Sequence, residues 1–407
     1  MAAYNFQPDE FVVEEISLDG TLLEVGKKIE KPNSDNTGIF CHFVLEKKLW
    51  NTAQALNAVA RCLRGGRKRF NAAGTKDRNA ITVQLCSVYG GTPEQLLAVN
   101  VKDIKINGAW TADNKVELGD LLGNNFKLIL NKKNVGVEIS AREVQENAAS
   151  NNFLFPNYFG SQRFGSLRCN SHKVGKLMVH EKWQEAVVNY LTYTDENERN
   201  LEAVAARNKL AKELDFKAAL NYFPGHLKFE RTILGHLALH ENDYIGALRK
   251  MPRHTLLLFL HAYQSYLFNE LLRRKVSAGT LFNIEKGAAY CDAEPTFGFP
   301  VDEVVKIAEE NLTEQARDGK VFPLASLIGL DTKMNDEEKE LLESEGIKQE
   351  QFKLKSMPEM TSKGTQRSLI APIAHFKILQ ENPVQIQFAL PSGCYATVAL
   401  DYILGKN

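Results

Sequence analysis

Hydrophobic and polar residues alternate in four segments of the first 150 residues, and each segment predicts a β-strand with one buried face. The four segments are residues 10–16, 38–48, 80–89 and 124–133. Helical spacing predicts two helices between them, at residues 51–66 and 92–99. Asn51 or Thr52 can cap the first helix, and Thr92 followed by Pro93 is typical of a helix start. This region is therefore predicted to be mixed α and β.

The pattern changes to helical spacing at about residue 160 and keeps it to roughly residue 350. Strand-like alternation then returns over residues 375–404. Two β-rich ends around a helical middle predict one discontinuous domain that is interrupted by an inserted domain.

The composition is that of a soluble globular protein, with 44% hydrophobic and 25% charged residues in a chain of 407. No apolar run approaches the roughly 20 residues that a membrane-spanning helix needs. The first residues lack the basic start and apolar stretch of a signal peptide. The six cysteines are scattered, without a C-x-x-C pair, so they indicate neither a zinc site nor a redox motif. We therefore expect a cytoplasmic protein without a bound metal.

Charge is balanced overall but unevenly distributed along the chain. The 50 basic and 50 acidic residues cancel, so the whole protein lacks the basic excess that is usual for nucleic-acid binding. Between Lys47 and Arg78, however, nine Lys or Arg residues accompany a single acid, Asp77. Acidic residues concentrate later, as in residues 335–345. One basic face on a neutral protein is compatible with a polyanion bound at one site.

Asp77 lies in the segment NAAGTKDRNAITVQ (71–84), between Lys76 and Arg78 and just ahead of a predicted strand. One of these cations can lie beside the carboxylate and keep it ionised, which suits a nucleophile or a base better than a proton donor. The alternative is a surface carboxylate paired with Arg78, which stabilises a fold little. Spacing alone leaves both interpretations open.

Four further segments each allow a functional and a structural interpretation. The run RGGRKRF (64–70) is either a phosphate-contacting loop or a helix end whose arginines favour the helix dipole. The segment FPNYFGSQRFG (155–165) either offers stacking faces to a base or seals a domain junction with its aromatic rings. The segment GNNF (123–126) is either a stacking ring beside a hydrogen-bonding amide or a turn followed by a core phenylalanine. The segment SKGTQR (362–367) is a candidate anion site or an ordinary loop.

Taken in order, seven motifs closely resemble the TruD-type family of tRNA pseudouridine synthases over nearly the whole chain. They are DEFVVEE (9–15), AGTKDRNAITVQ (73–84), GNNF (123–126), PNYFGSQRFG (156–165), HAYQSYLFNELL (261–272), SKGTQRSLIAP (362–372) and LPSGCYATVALDYIL (390–404). The GTKD and PNYFGSQRFG blocks are the most specific. The form of residues 357–372 is closer to the archaeal and eukaryotic branch of the family.

The resemblance implies an α+β fold, in which a pseudouridine-synthase domain with a mixed or antiparallel sheet is interrupted by a mainly helical TRUD insertion domain. We expect the catalytic domain at residues 1–157 and 351–407, and the insertion domain at residues 158–350. It also implies an isomerase that converts uridine in tRNA to pseudouridine without a cofactor or metal.

The resemblance further implies roles for individual residues. The catalytic aspartate of the family matches Asp77, and its active-site Asn and Phe match Asn124 and Phe126. Phe11 matches the aromatic residue of the N-terminal motif. Many members carry a Lys where this chain has Asn5, so a charge contact near the pocket is either missing here or supplied by another residue.

Other residues are expected to bind the RNA. Around the target nucleotide, the expected substrate-binding residues also include Lys76, Arg78, Asn157, Arg163 and Arg367. Expected contacts with phosphate groups come from the basic run, through Arg61, Arg64, Arg67, Lys68 and Arg69. The expected partner is tRNA or another structured RNA, with no membrane partner, and a monomer is the default expectation for the oligomeric state.

The hypothesis for the reaction is that Asp77 attacks the nucleoside at ribose C1′ or at uracil C6, two routes that the sequence does not separate. The usual target in the family is the uridine at tRNA position 13. Two rival functions remain open from the sequence: a non-catalytic RNA-binding chaperone of the same fold, and a protein-binding helical scaffold.

Overall fold

The computed structural model describes residues 4–31, 38–165, 168–196 and 198–406. Its strands are β1 (Phe11–Ser17), β2 (Phe40–Lys48), β3 (Phe70–Ala72), β4 (Ile81–Tyr89), β5 (Ile104–Ala112), β6 (Leu121–Leu130), β7 (Leu154–Pro156), β8 (Ala289–Asp292), β9 (Lys306–Ile307), β10 (Val321–Leu327), β11 (Thr365–Ser368), β12 (Ile370–Pro372), β13 (Ala374–Glu381) and β14 (Val384–Pro391).

The α-helices pack around three sheets. They are α1 (Thr52–Cys62), α2 (Pro93–Leu97), α3 (Lys132–Val135), α4 (Ala141–Ala149), α5 (Ser171–Val179), α6 (Trp183–Thr192), α7 (Leu201–Glu213), α8 (Phe216–Tyr222), α9 (Lys228–Leu237), α10 (Tyr244–Arg249), α11 (Arg253–Ser277), α12 (Thr313–Arg317), α13 (Asp336–Ser344) and α14 (Ala396–Ile403). In the described part of the chain, none of these helices is long and apolar enough to cross a membrane.

The largest sheet joins the two ends of the chain. Its strand order is β13-β14-β6-β1-β4-β2-β5, and β3 pairs with β4. All of its pairs are antiparallel except β1 with β4. This mixed, mainly antiparallel sheet together with the many helices confirms the predicted α+β fold class.

The four strands predicted near the N-terminus are confirmed as β1, β2, β4 and β6, and the two helices as α1 and α2. The cap of α1 is Asn51, whose side chain accepts a hydrogen bond from the backbone N–H of Gln54. Two strands of this sheet, β3 and β5, have no counterpart among the sequence predictions. In β5, Gly108 lies so close to another segment that a Cβ there would be 2.2 Å from the carbonyl oxygen of Ile29.

The predicted alternation over residues 375–404 is confirmed for β13 and β14 but wrong for its last part, because residues 396–403 form helix α14. Val398, Ala399, Tyr402 and Ile403 are buried there against the sheet and α4. These positions form a helical stripe, since they recur at intervals of one and four. Val398, Leu400 and Tyr402 also alternate, so the short segment satisfies both periods and only packing distinguishes them.

The middle of the chain is a helical region around the 25-residue helix α11, whose side chains enter the largest hydrophobic cluster. It also contains a four-stranded sheet in the order β11-β10-β8-β9. Strand β12 pairs with β7 at the junction with the large sheet. Because β11 at Thr365–Ser368 still pairs with β10, the middle region extends past residue 351 in this sheet. The domain boundaries given above stay a prediction.

Candidate active site

Asp77 lies in the loop between β3 and β4, and its side chain is exposed at a cavity of about 550 Å³. That volume is within the range of pockets that hold small ligands. The cavity walls come from the N-terminal segment, the Asp77 loop, the sheet, the middle region and α14. The residues that line it are Tyr4, Asn5, Phe6, Phe11, Asp77, Arg78, Asn79, Leu128, Gln162, Ala396, Thr397 and Leu400.

The register of the large sheet explains how these distant segments meet. Lys47 of β2 lies opposite Thr82 of β4, which lies opposite Val13 of β1, which in turn lies opposite Phe126 of β6. Directly paired residues point to the same face of a sheet, so this row continues across four strands. The Asp77 loop leads into β4 at Ile81, one residue before Thr82 of this row.

The buried side chain of Lys47 fixes the Asp77 loop through hydrogen bonds from its ammonium. Its ammonium donates hydrogen bonds to the carbonyl oxygen of Trp50 at 2.6 Å and to that of Asp77 at 2.9 Å. The side chain is 1% exposed. Burial lowers the pKa of Lys47 to about 8, and the nearby charge of Asp77 opposes that shift. The sequence did not single out Lys47, because only the register of β2 directs it towards the loop.

A second set of contacts fixes the loop from the other side. The ammonium of Lys76 lies 2.8 Å from Glu15 Oε2, and both groups are buried. Burial raises the pKa of the Glu15 carboxyl, while the Lys76 charge opposes this shift. The hydroxyl of Thr52 accepts a hydrogen bond from the Lys76 backbone N–H at 2.9 Å and donates to Gln84 Oε1 at 2.9 Å. The side chain of Lys76, a predicted substrate-binding residue, is therefore buried within the protein and paired with Glu15.

Loop rigidity follows from these contacts, because the backbone of Lys76 and Asp77 is bonded to side chains of α1 and β2, and the Lys76 side chain is paired with β1. Gln84 adds one more tie through its amide, which donates to the carbonyl oxygen of Gly74 at 2.8 Å. A reactive side chain on a backbone fixed in this way is held in one position before substrate arrives.

Four aromatic rings form a continuous row of contacts from the cavity wall into the core. The ring centroids are 5.5 Å apart between Phe6 and Phe11, 6.2 Å between Phe11 and Phe126, and 5.5 Å between Phe126 and Phe388. Phe126 is only 6% exposed, so Phe11 is the ring of the predicted pair that lines the cavity. Phe6 is a further cavity residue that the sequence did not single out.

Asn124 contains a buried polar atom without a partner. It lies directly opposite Glu15 in the pairing of β6 with β1, and so on the same face of the sheet. Its Oδ1 atom is buried and makes no hydrogen bond within the described residues. An unsatisfied buried acceptor costs about 1–3 kcal/mol. Asn124 is not among the described residues that line the cavity of Asp77, so its predicted substrate contact stays a prediction.

Arg78 is the single Lys or Arg among the described residues that line this cavity. Its Nε donates to the carbonyl oxygen of Leu49 at 3.1 Å, which leaves the other guanidinium nitrogens for a ligand. Asn5 lines the same cavity, so an uncharged side chain lies where the resemblance to the family implies a lysine in many members.

Asn157 and Arg367 lie at a different cavity of about 560 Å³, which Asp77 does not line. The Nη2 atom of Arg367 donates to Asn157 Oδ1 at 2.6 Å, and the guanidinium lies 4.1 Å from the ring centroid of Phe159. The amide of Asn157 donates to the carbonyl oxygen of Ser368 at 3.0 Å. These predicted substrate-binding residues are thus packed at the junction of β7, β11 and β12, and a direct substrate contact for either stays a prediction.

Residues Gln162 and Arg163 are consecutive but line different cavities. Gln162 lines the cavity of Asp77, whereas Arg163 lines a third cavity of about 430 Å³. Arg163 Nε donates to Ser265 Oγ at 2.9 Å. Gln162 was not among the predicted residues; its place in the resembling block PNYFGSQRFG was the available signal.

The basic run after α1 divides into two groups. Arg67 and Arg69 donate to backbone carbonyl oxygens of β3 and of the β4 end at 2.6–2.7 Å. Arg61, Arg64 and Lys68 are exposed and project towards solvent. The second group therefore suits the predicted phosphate contacts better, and all five assignments stay predictions.

Metal ligands were not expected from the sequence. Within the described ranges, no group of three or more His, Cys, Asp or Glu side chains is placed to hold a metal ion.

Comparison with known proteins relates the whole chain to one family. The family model described as tRNA pseudouridine synthase D (TruD) matches residues 5–402. The chain is similar to the probable tRNA pseudouridine synthase D of Methanopyrus kandleri, with 35% identity over 93% of this chain and 88% of that protein. It is also similar to the probable tRNA pseudouridine synthase D of Methanococcus maripaludis, with 32% identity over 98% of this chain and 94% of that protein.

The fold is likewise similar to a solved structure. The crystal structure of the putative tRNA pseudouridine synthase D (TruD) from Methanosarcina mazei superposes with a TM-score of 0.77 and 28% sequence identity. The match covers 99% of this chain and 93% of that one.

Proposed function

The chain belongs to the TruD family of tRNA pseudouridine synthases, and from this membership we propose that it isomerises uridine to pseudouridine in tRNA with Asp77 as the nucleophile. The single observation that carries the choice of Asp77 is its placement: it is the one carboxylate among the described residues that line the 550 Å³ cavity. We further propose the uridine at tRNA position 13 as the target, as the resemblance to the family implies.

The proposed reaction needs a nucleotide that has left its stack, because a base inside a helix cannot reach a carboxylate on the protein surface. The exposed side chain of Asp77 faces the cavity into which such a base would turn. Attack occurs at ribose C1′ or at uracil C6. The C1′–N1 bond then breaks, a C1′–C5 bond forms, the proton of C5 leaves and N1 takes up a proton.

The walls of the cavity suit the step in which the detached uracil turns. Phe6, Phe11, Leu128, Ala396 and Leu400 supply apolar surface, which excludes water while the base is free of the ribose. Phe11, supported from behind by Phe126, offers a ring face for stacking. These contacts would retain the base without fixing its orientation.

Polar groups around the cavity would orient the substrate. Arg78 would bind a phosphate of the target nucleotide, because it lines the cavity and its free guanidinium nitrogens match phosphate oxygens well. Asn124 does not line the cavity, but its buried amide oxygen has no partner among the described residues and would support the loop, or accept a hydrogen bond from a uracil N–H once substrate is bound. Three residues would act indirectly, by holding the loop that carries Asp77: Lys47, Glu15 and Lys76.

The test is tritium release from unmodified tRNA that carries [5-³H]uridine, since the C5 hydrogen leaves only when the new glycosidic bond forms. Wild type is compared with Asp77→Ala and Asp77→Asn, and tRNA binding is measured for each. Release by wild type alone, with binding retained in both variants, is the expected result. Substantial release by Asp77→Ala would remove Asp77 from the mechanism, and no release from any tRNA by a well-folded wild type would contradict the proposed activity.

The target position is tested separately. A tRNA transcript with cytidine in place of uridine 13 should release no tritium above background if that uridine is the substrate. Undiminished release from this transcript would place the modification elsewhere, without affecting the proposed reaction.

A further inference from the structure

The cavity beside Arg163 carries an excess of positive charge. Arg163, Arg253 and Lys363 line it together with His261, and no carboxylate is among its described lining residues. Its volume is about 430 Å³. Three permanent cations around one concave surface favour an anion there, because neighbouring like charges repel each other until a counter-ion binds.

Donor groups remain available on these side chains. Lys363 is exposed, and its ammonium contacts no carboxylate in the described part of the chain. The Nε and Nη2 atoms of Arg253 are used by the carbonyl oxygen of Glu359, at 3.0 and 2.8 Å, which leaves Nη1. Arg163 uses only Nε, towards Ser265, so both of its Nη groups can donate to a ligand.

The loop that carries Lys363 is held in place. The carbonyl oxygens of Ser362 and Lys363 accept hydrogen bonds from the backbone N–H groups of Leu330 and Asp331, at 2.8 and 2.9 Å. Gly364 follows with a φ of +90°, and a Cβ at this position would lie 2.2 Å from Thr332 Oγ1. The backbone of Lys363, a residue that lines the cavity, is therefore held in place on both sides.

The short 3₁₀ helix Ser161–Phe164 contributes one residue to this cavity and one to the cavity of Asp77. Gln162 lines the cavity of Asp77, and the next residue, Arg163, lines the basic one. Because these two residues are consecutive, an RNA strand that places its target base beside Asp77 and runs past this helix would bring its neighbouring backbone to the basic cavity.

We propose that Lys363, Arg253, Arg163 and His261 form a binding site for a phosphodiester group of the RNA strand next to the target nucleotide. This inference rests on the proposed function, because it takes RNA as the ligand. It names four positions outside the basic run of residues 61–69 and assigns the loop SKGTQR a part in substrate binding through Lys363. The contact is with the backbone, so it carries no sequence preference.

The experiment measures binding of unmodified tRNA by the full chain over a series of salt concentrations. Lys363→Gln is compared with wild type and with Lys355→Gln, a matched control because Lys355 is also exposed and lies outside every cavity described here. Loss of one phosphate contact should reduce the slope of log affinity against log salt by about 0.7–0.9. We expect about fivefold weaker binding at 0.1 M salt for Lys363→Gln and no change for Lys355→Gln.

Two further variants test the same site: one reverses the charge at Lys363, and the other removes the charge at Arg253. Lys363→Glu should bind more weakly than Lys363→Gln, and Arg253→Gln should reduce the salt slope by a similar amount. The losses should be equal for tRNA and for an unrelated single-stranded RNA. If the salt slope and affinity of Lys363→Gln and Lys363→Glu equal those of wild type, the site is not a phosphate site.

Tritium release by wild type separates this proposal from the proposed function. Release with unchanged salt slopes in the Lys363 variants would overturn the phosphate site alone. Absence of release, with RNA binding that still depends on Lys363, would overturn the isomerase proposal and support the site.

Discussion

Replacing Lys47 by Met should lower catalysis, although Lys47 does not line the cavity. The substitution keeps most of the apolar stem but removes the ammonium that binds the carbonyl oxygens of Trp50 and Asp77 at 2.6 and 2.9 Å. Each hydrogen bond to a charged group contributes about 1.5–3 kcal/mol. The cost of burying the ammonium disappears at the same time, so we expect the free energy of unfolding to fall by only about 2 kcal/mol.

The effect on turnover should be larger than the effect on folding. Without its support the backbone at Asp77 can shift, and a displacement of about 1 Å in a reacting group costs roughly 10²-fold in rate. The assay is single-turnover tritium release at saturating tRNA, with thermal unfolding measured on the same samples. The rate constant should fall about 10²-fold while affinity for tRNA changes little, because Lys47 is buried and does not contact the RNA.

Lys48→Met is the matched control. Lys48 is the next residue of β2 and points to the opposite face of the strand. It forms an exposed ion pair with Asp9 at 2.7 Å, a kind of pair that is worth about 0–1 kcal/mol. We expect a wild-type rate and nearly wild-type stability for this variant.

The pH dependence distinguishes positioning from a general structural effect. Burial lowers the pKa of Lys47 to about 8, so the charged form that holds Asp77 is lost as pH rises through that value. Wild-type turnover should therefore decline above about pH 8, and Lys47→Met should lack this decline. A folded Lys47→Met protein with the rate and pH profile of wild type would refute the reasoning.

Three further predictions concern buried groups. Glu15→Gln should lower the free energy of unfolding by about 3–5 kcal/mol, because it leaves the Lys76 ammonium buried without its partner. Thermal or denaturant unfolding measures this loss, and a loss below about 1 kcal/mol would contradict the prediction. Asn124→Ala should lower kcat/KM about tenfold without loss of stability, since the replaced Oδ1 is unpaired among the described residues. Equal losses of kcat/KM and of thermal stability would indicate that Asn124 is a structural residue instead. Burial lowers the pKa of His172 to about 4, so between about pH 6.5 and pH 4 the unfolded chain binds a proton that the folded chain does not. The free energy of unfolding should therefore fall as pH drops through this range. In unfolding experiments His172→Phe should reduce the slope of the free energy of unfolding against pH, and an unchanged slope would contradict the prediction.

Local patterns in the sequence were sufficient for most elements that lie near the site. The strands β1, β2, β4 and β6 and the helices α1 and α2 were predictable because each has a clear period of apolar positions and, for the helices, a capping residue. Family membership and the choice of Asp77 followed from motifs, since GTKD and PNYFGSQRFG are specific enough to identify the family from the sequence alone. Helix α14 was not predictable in this way, because its short apolar pattern fits a strand as well as a helix.

The tertiary structure decided which of the candidate residues lie together. It placed Arg78 and Phe11 with Asp77, and it placed Arg367 and Arg163 at two other cavities. It also revealed Lys47, which has no distinguishing sequence context. The physical reason is that periodicity records only which face of its own element a residue occupies. Which faces meet depends on strand register and packing between segments that are far apart in the chain, and these contacts leave no local pattern.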